Sequence, residues 1–377
     1  MVSLRESMHR SGLFIVAVIA AACSSESDPK GGTENNTTPP PPNPMAMPCE
    51  PLNTKYAGDE RCILPPPEGT GIQLHVGPSN YTDEAELAKY ELAPGKEVTE
   101  CYYLNAPNDE VVNFFEQHYR MRKGSHHLIM HMSTSGEAHA EGWAPCESQG
   151  FTPIGGTQQG IAEFPVGGVT PPEDANLYRP LLPHAVLKME LHFVNATTEP
   201  ILREVWVNLV KKEVHEGDQI LGGVFIIGAE GMQIQPFTKV TLNYITAPLT
   251  EPKRVVSLYG HRHAHTKRFT IWANRAATGR ETIYEDYDWK EPTELSYNSV
   301  VQNPAPDPVG LKAGGVSGIL NFEVGDTMEW ECEIDNDSDK VLTFRNEVFT
   351  GEMCNIFGSS VATSIFWGGR GKLQFKQ

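Results

Sequence analysis

Short stretches in which apolar and polar residues alternate, separated by frequent glycine and proline, run through most of the chain. The clearest is 186–195 (VLKMELHFVN), whose apolar side chains share one face of an extended strand while Lys188, Glu190 and His192 share the other. A helical pattern is suggested only over 109–119. The chain is therefore predicted to be all-β. Comparable strand-like stretches occur at 205–214, 255–273 and 324–333.

The number of predicted strands fits two consecutive antiparallel β-sandwiches of a jelly-roll-like kind. A chain of 377 residues, 39% of them hydrophobic, is long enough to build two cores. We place the division in the polar segment 213–218. This gives an N-terminal sandwich at 67–214 and a C-terminal sandwich at 215–377.

The first 66 residues fit neither sandwich. A weakly basic start and the apolar run 13–22, too short to span a bilayer, are typical of an export signal at 1–22. Cys23 follows three alanines, which resembles the lipobox of bacterial lipoproteins, where this cysteine is lipidated. The alternative is ordinary cleavage with Cys23 as an incidental thiol. Segment 23–66 contains four consecutive prolines and is predicted to be a disordered tether.

These features predict an exported protein, lipid-anchored in the bacterial outer membrane or periplasm and attached to the membrane only through that anchor. The chain has 30 Lys and Arg against 48 Asp and Glu, and it shows no basic stripe, which excludes nucleic-acid binding.

After Cys23 an even number of cysteines remains, which predicts three disulfides but leaves their pairing open. These cysteines are Cys49, Cys62, Cys101, Cys146, Cys332 and Cys354.

Histidines supply the candidate chemistry. His126 and His127 are adjacent, so on a regular strand they point to opposite faces, and a shared metal would require a local twist. Taken alone, this pair is more typical of a structural or surface role than of a metal site. His261 and His263 share one strand face and can chelate a single ion. His265 continues that face, and we expect it to support the ligands or to be exposed.

Met353 lies between Glu352 and Cys354, and its thioether is a soft ligand that favours Cu(I). Two histidines and a methionine suit copper that cycles between Cu(I) and Cu(II). In order and spacing, the motifs resemble the copper type II, ascorbate-dependent monooxygenases, the family of dopamine β-hydroxylase and peptidylglycine α-hydroxylating monooxygenase. The resemblance extends from about Gln73 to Phe357. It is carried by Cys101, His126-His127, Glu190-x-His192, His261-x-His263 and Glu352-Met353-Cys354-Asn355.

The resemblance implies two copper ions per chain, each in its own site. His126, His127 and His192 would bind the first copper, in the N-terminal sandwich. His261, His263 and Met353 would bind the second, catalytic copper, where oxygen is activated. The resemblance also implies the disulfides Cys101–Cys146 and Cys332–Cys354, the latter holding Met353 in place, which leaves Cys49 to pair with Cys62.

The implied activity is hydroxylation of a C–H bond of a small organic substrate with O₂, using ascorbate or another one-electron reductant. Tyr259 stands where peptide-amidating relatives carry an arginine, which argues against peptidylglycine as substrate. Arg262 stands where relatives often have threonine and is a candidate to alter the second copper site. Two other hypotheses are a non-catalytic copper-binding lipoprotein and a structural module with vestigial histidines.

Overall fold

The computed structural model describes residues 49–375 except 51, 135, 137, 148, 166–176, 229–230, 297–319 and 362–371. The predicted signal peptide, the lipidation site Cys23 and the tether up to residue 48 lie outside the described residues. Within the described residues, no helix is long and apolar enough to span a membrane.

The described part of the N-terminal half contains twelve strands, together with a 3₁₀ turn (Asp59–Arg61) and one short helix, α1 (Glu84–Leu87). The Asp83 carboxylate caps this helix by accepting hydrogen bonds from the amides of Ala85 and Glu86. The strands are β1 (Gly71–Val76), β2 (Glu91–Leu92), β3 (Glu97–Asn105), β4 (Val112–Met121), β5 (Ser125–Ser133), β6 (Gly142–Ala144), β7 (Phe151–Thr157), β8 (Ile161–Pro165), β9 (Leu177–Leu181), β10 (Val186–Val194), β11 (Ile201–Leu202) and β12 (Val205–Lys211).

Two sheets of this half pack around one core. One runs in the order β1-β12-β4-β9, with β8 also on β4, and the other in the order β6-β3-β10-β5-β7. The central strand β10 confirms the alternation expected for 186–195, because its apolar side chains enter the core almost completely. They are Leu187, Met189, Leu191 and Phe193, each 0–1% exposed. The opposite face of β10 carries His192.

The described residues of the C-terminal half form the other twelve strands. They are β13 (Gln219–Ile227), β14 (Gln233–Ile234), β15 (Thr238–Ile245), β16 (Lys253–Arg262), β17 (Thr266–Arg275), β18 (Gly279–Asp286), β19 (Leu295–Ser296), β20 (Leu320–Phe322), β21 (Thr327–Asn336), β22 (Leu342–Thr343), β23 (Cys354–Val361) and β24 (Lys372–Phe375).

The second core lies between the sheet β18-β17-β21-β15-β24 and the strands β13-β23-β16-β19. Strand β13 also pairs in parallel with β9, so one sheet of each sandwich joins into a single ten-stranded sheet. Ile129 of the N-terminal half packs in the C-terminal core. The described strands thus form two antiparallel sandwiches in one compact unit, and the predicted all-β class is confirmed.

The structure corrects two local predictions. The helical pattern proposed for 109–119 is wrong, because these residues lead into and form most of β4. The turn expected near Thr266 lies slightly earlier in the chain. Strand β16 ends at Arg262 and β17 begins at Thr266, so His263 and His265 belong to the connection between them.

Three disulfides are present among the described residues: Cys49–Cys62, Cys101–Cys146 and Cys332–Cys354. These are the pairings that the resemblance implies. The third joins β21 to the first residue of β23, next to Met353.

Candidate metal centre

A β-bulge brings the two adjacent histidines of the N-terminal sandwich together. His192 pairs with His127, but the next residue, Phe193, pairs with Ser125, so His126 is an extra residue on β5. The bulge interrupts the strict alternation of side chains. The ring centroids of His126 and His127 lie 5.4 Å apart, and both lie 5.0–5.1 Å from that of His192. The local twist that a shared metal requires is therefore present.

In the C-terminal sandwich, a buried carboxylate links the residues of the second predicted set. One oxygen of Glu352 accepts hydrogen bonds from the backbone amides of His263, at 2.7 Å, and Met353, at 2.8 Å. Burial raises the pKa of Glu352 to about 7. The rings of His261 and His263 lie 5.4 Å apart, and the Asn355 amide contacts the Met353 sulfur at 3.6 Å. All of these side chains are buried.

The two predicted ligand sets meet between the sandwiches. His261 lies 5.3 Å from His126 and 5.2 Å from His127, measured between ring centroids. His263 lies 5.4 Å from His126 and 6.3 Å from His192. Ligand nitrogens of His126, His127 and His261 all lie within 4.8 Å of one another. The five histidines therefore form one cluster, in which a group of three that could share an ion draws on both sandwiches.

These five histidines are only 0–7% exposed, and burial determines the charge of four of them, His126, His127, His261 and His263. Burial lowers the pKa of His127 to about 3. The pKa values of His126, His261 and His263 lie well below the usual value, first because of burial and second because the neighbouring imidazoles repel a positive charge. These four imidazoles are therefore neutral at pH 7, which is the form that binds metals.

Five ring nitrogens of the cluster suggest where a metal would bind. Nε2 of His126, Nδ1 of His127, Nδ1 of His192 and both ring nitrogens of His263 are buried without a hydrogen-bond partner in the described part of the chain. A buried polar atom left unpaired costs about 1–3 kcal/mol, and coordination of a metal would satisfy it. Imidazole nitrogens suit copper, zinc, iron and nickel, whereas the Met353 thioether selects Cu(I). The donor set fits copper.

Gln158 holds histidines of both sandwiches. Its side-chain oxygen lies 2.8 Å from Nδ1 of His261, and its amide nitrogen lies 3.5 Å from Nδ1 of His126. The same nitrogen donates a hydrogen bond to the Trp289 carbonyl, and the Gln158 backbone amide donates one to Glu294. Because the glutamine oxygen accepts from Nδ1–H of His261, Nε2 of that ring is left as the metal ligand.

Glu97 orients His192 in the same way. Its carboxylate oxygen lies 2.8 Å from Nε2 of His192 and also accepts a hydrogen bond from the Val348 amide of the other sandwich. The carboxylate therefore fixes the tautomer with Nδ1 unprotonated. Neither Glu97 nor Gln158 can be recognised from the sequence, because each lies in a different strand or turn from its histidine and shares no motif with it.

Two further residues from the sequence analysis have structural partners. Arg262 is fully buried, forms an ion pair with Asp286 and donates a hydrogen bond to the Gly260 carbonyl at 3.1 Å. The expectation that His265 is exposed is wrong. This ring is buried, and its Nε2 lies 3.1 Å from the Phe349 carbonyl.

No protein-family model matches this chain, and no curated protein matches it. The likeness to copper monooxygenases therefore depends on the motifs and on the residues of the metal centre alone.

Proposed function

We propose that the chain is a copper- and ascorbate-dependent monooxygenase that hydroxylates a C–H bond of a small organic substrate with O₂. The observation that carries the proposal is the cluster of five buried histidines between the two sandwiches, four of them neutral because of burial. Met353 adds the soft ligand that distinguishes copper from zinc. We assign the chain to the copper type II monooxygenase family as part of this proposal.

When bound, copper would supply one-electron redox chemistry and activation of O₂. The protein would supply geometry and exclude water. His126, His127 and His192 would hold one copper, with Glu97 fixing the ring of His192. His261, His263 and Met353 would hold the other, with Gln158 and Glu352 fixing their positions.

The proposal includes export and lipid anchoring through Cys23. The three disulfides support it, because disulfides persist in exported proteins and are rare in reducing compartments. An exported location also gives the protein access to extracellular copper, O₂ and a diffusible reductant.

The alternative is a copper-binding lipoprotein without catalysis. One observation favours it: the histidine rings pack within 5.0–6.3 Å of one another and are almost fully buried. Such a cluster is also suited to retaining a metal without exposing it to a substrate.

Metal analysis of the purified protein, together with oxygen uptake, tests both proposals. We expect two copper ions per chain, falling to about one in Met353→Leu, and oxygen consumption that depends on ascorbate. The matched control is Met328→Leu, because Met328 is a fully buried methionine of the same sandwich that has no place in the centre. This variant should keep both copper ions.

Three outcomes would change the conclusion. A single copper that is lost in either His126→Ala or His261→Ala would replace the two-site assignment with one shared site. Copper without reductant-dependent oxygen uptake would support the non-catalytic alternative. A protein that binds no copper would overturn both proposals.

A further inference from the structure

A cavity of about 320 Å³ opens beside the metal centre, and its walls come from both sandwiches. His126 lines this cavity and also belongs to the histidine cluster, so a molecule bound there would lie next to the centre. The volume is at the lower end of ligand pockets, which suits a compound with a single aromatic ring.

The walls of the cavity are basic although the chain as a whole is acidic. Four cationic residues line it, against one acidic residue, Glu291, whereas the chain carries 18 more acidic than basic residues. The cationic residues are Arg61, Arg122, Lys123 and Lys290. This reversal of charge favours an anionic ligand.

Arg61 is the cation best placed to bind that anion. Arg122 is committed to Glu204 and Asp59, and Lys123 pairs with Glu60 at 3.1 Å. Arg61 is half-buried, and within the described residues its side chain forms no hydrogen bond or ion pair.

Next to Arg61, a glycine keeps the cavity wall open. A Cβ atom at Gly160 would lie 3.1 Å from the Arg61 guanidinium. A guanidinium offers a carboxylate two parallel hydrogen bonds, and here it is free to do so.

Two aromatic side chains form the apolar part of the cavity. The Trp289 ring lies 5.8 Å from the ring of His126 and 5.9 Å from that of Phe349, in an edge-to-face arrangement with the latter. Phe349 is 47% exposed, so its ring offers a surface that a ligand ring would cover.

We propose that this cavity binds a small aromatic carboxylate, whose carboxylate pairs with Arg61 and whose ring packs against Trp289 and Phe349. The inference rests on the proposed function, since it identifies the substrate class of the same centre. The charge of the cavity argues against an amine as the preferred ligand, because Arg61 and Lys290 would repel it.

Isothermal titration calorimetry with three matched probes tests this inference. The probes are 3-phenylpropionate, the neutral 3-phenylpropan-1-ol and the cationic 3-phenylpropylamine, each titrated into copper-free and copper-loaded protein. Recognition of the carboxylate by Arg61 predicts that phenylpropionate binds at least tenfold more tightly than the alcohol in both forms of the protein. The amine should bind most weakly.

Variants separate the two parts of the recognition. Arg61→Gln should weaken phenylpropionate binding about tenfold and leave the alcohol unchanged, whereas Trp289→Leu should weaken both. The control is Arg280→Gln, because Arg280 is an arginine that lies against Trp272 and does not line the cavity. This variant should bind all three probes as the parent does.

The outcomes distinguish this inference from the proposed function. Equal or tighter binding of the alcohol or the amine, or an Arg61→Gln variant that binds phenylpropionate normally, would overturn the inference even if copper and oxygen uptake are present. Charge-selective binding that requires Arg61 would support the pocket assignment even in a protein that fails to bind copper.

Discussion

The candidate ligands of the N-terminal sandwich lie on two paired strands. Those of the C-terminal sandwich lie at the end of one strand or in segments between strands. His127 and His192 face each other across β5 and β10, and His126 joins them through the bulge. Both strands are interior members of their sheet. The ladder of hydrogen bonds on either side therefore holds this set, and any displacement would disturb the whole sheet.

The C-terminal set has fewer backbone constraints. His261 is the penultimate residue of β16, His263 lies beyond its end, and Met353 immediately precedes β23. His263 and Met353 lie outside the strands and are held by two local contacts. The Glu352 carboxylate accepts hydrogen bonds from both of their amides, and the disulfide at Cys354 fixes the residue next to Met353. The comparison indicates that the first set is fixed by the fold and the second by a few specific contacts.

Removal of the Cys332–Cys354 disulfide should produce the largest effect and should act on one set only. The bond closes a span of 22 residues, so the double variant Cys332→Ala/Cys354→Ala should lose about 3 kcal/mol of unfolding free energy. The copper bound through Met353 should weaken, because the backbone beside Met353 is released. Urea unfolding and copper titration measure the two effects.

The control is the double variant Cys49→Ala/Cys62→Ala, which opens a span of 13 residues that contains none of the predicted ligands. It should lose a similar amount of stability and keep both copper ions. Equal loss of copper in the two double variants would show that general destabilisation, and not the position of Met353, controls binding.

The buried histidines should make the copper-free protein less stable in acid. The pKa of His127 is about 3 in the folded chain and near 6.5 when unfolded, so between these values the unfolded chain binds a proton that the folded chain lacks. Stability from this group is therefore complete above about pH 7 and decreases as the pH falls below 6.5. At pH 5 the loss is about 2 kcal/mol for His127 alone.

Urea unfolding of the copper-free protein between pH 7.5 and 5 measures this dependence. His127→Gln should reduce the slope by about 1.4 kcal/mol per pH unit at the acid end. His184→Gln, which replaces an exposed histidine, serves as the control. An unchanged slope in His127→Gln would contradict the assignment of a buried, neutral imidazole.

Local periodicity explains which parts of the fold could be predicted. Strand β10 was predicted with its faces correct, because the apolar residues that enter the core alternate regularly with the polar residues of the opposite face. Strand β4 was not predicted, because a β-bulge at Phe115 shifts its apolar positions from even to odd residue numbers and the alternation is lost. A stretch without alternation cannot be distinguished from a helix by period alone.

The site shows a similar division. The resemblance to copper monooxygenases identified the five histidines and Met353 as candidate ligands, and all are buried near one another or near the same carboxylate. Their convergence was not predicted, because the distance between His126 and His261 depends on how the sandwiches pack. Gln158 and Glu97 carried no signal, since a single polar residue becomes an orienting group only through the tertiary contact with its histidine.

The smallest expected effect tests the interface directly. Gln158→Leu removes the acceptor that fixes the His261 ring while keeping a side chain of similar size, so copper affinity should fall roughly tenfold. Competition titration with a chromophoric copper chelator measures it. Gln159→Leu is the matched control, because the Gln159 amide also crosses between the sandwiches, to the Pro292 carbonyl at 2.9 Å, but contacts no histidine. If both variants weaken copper equally, sandwich packing rather than imidazole orientation controls the affinity of the centre.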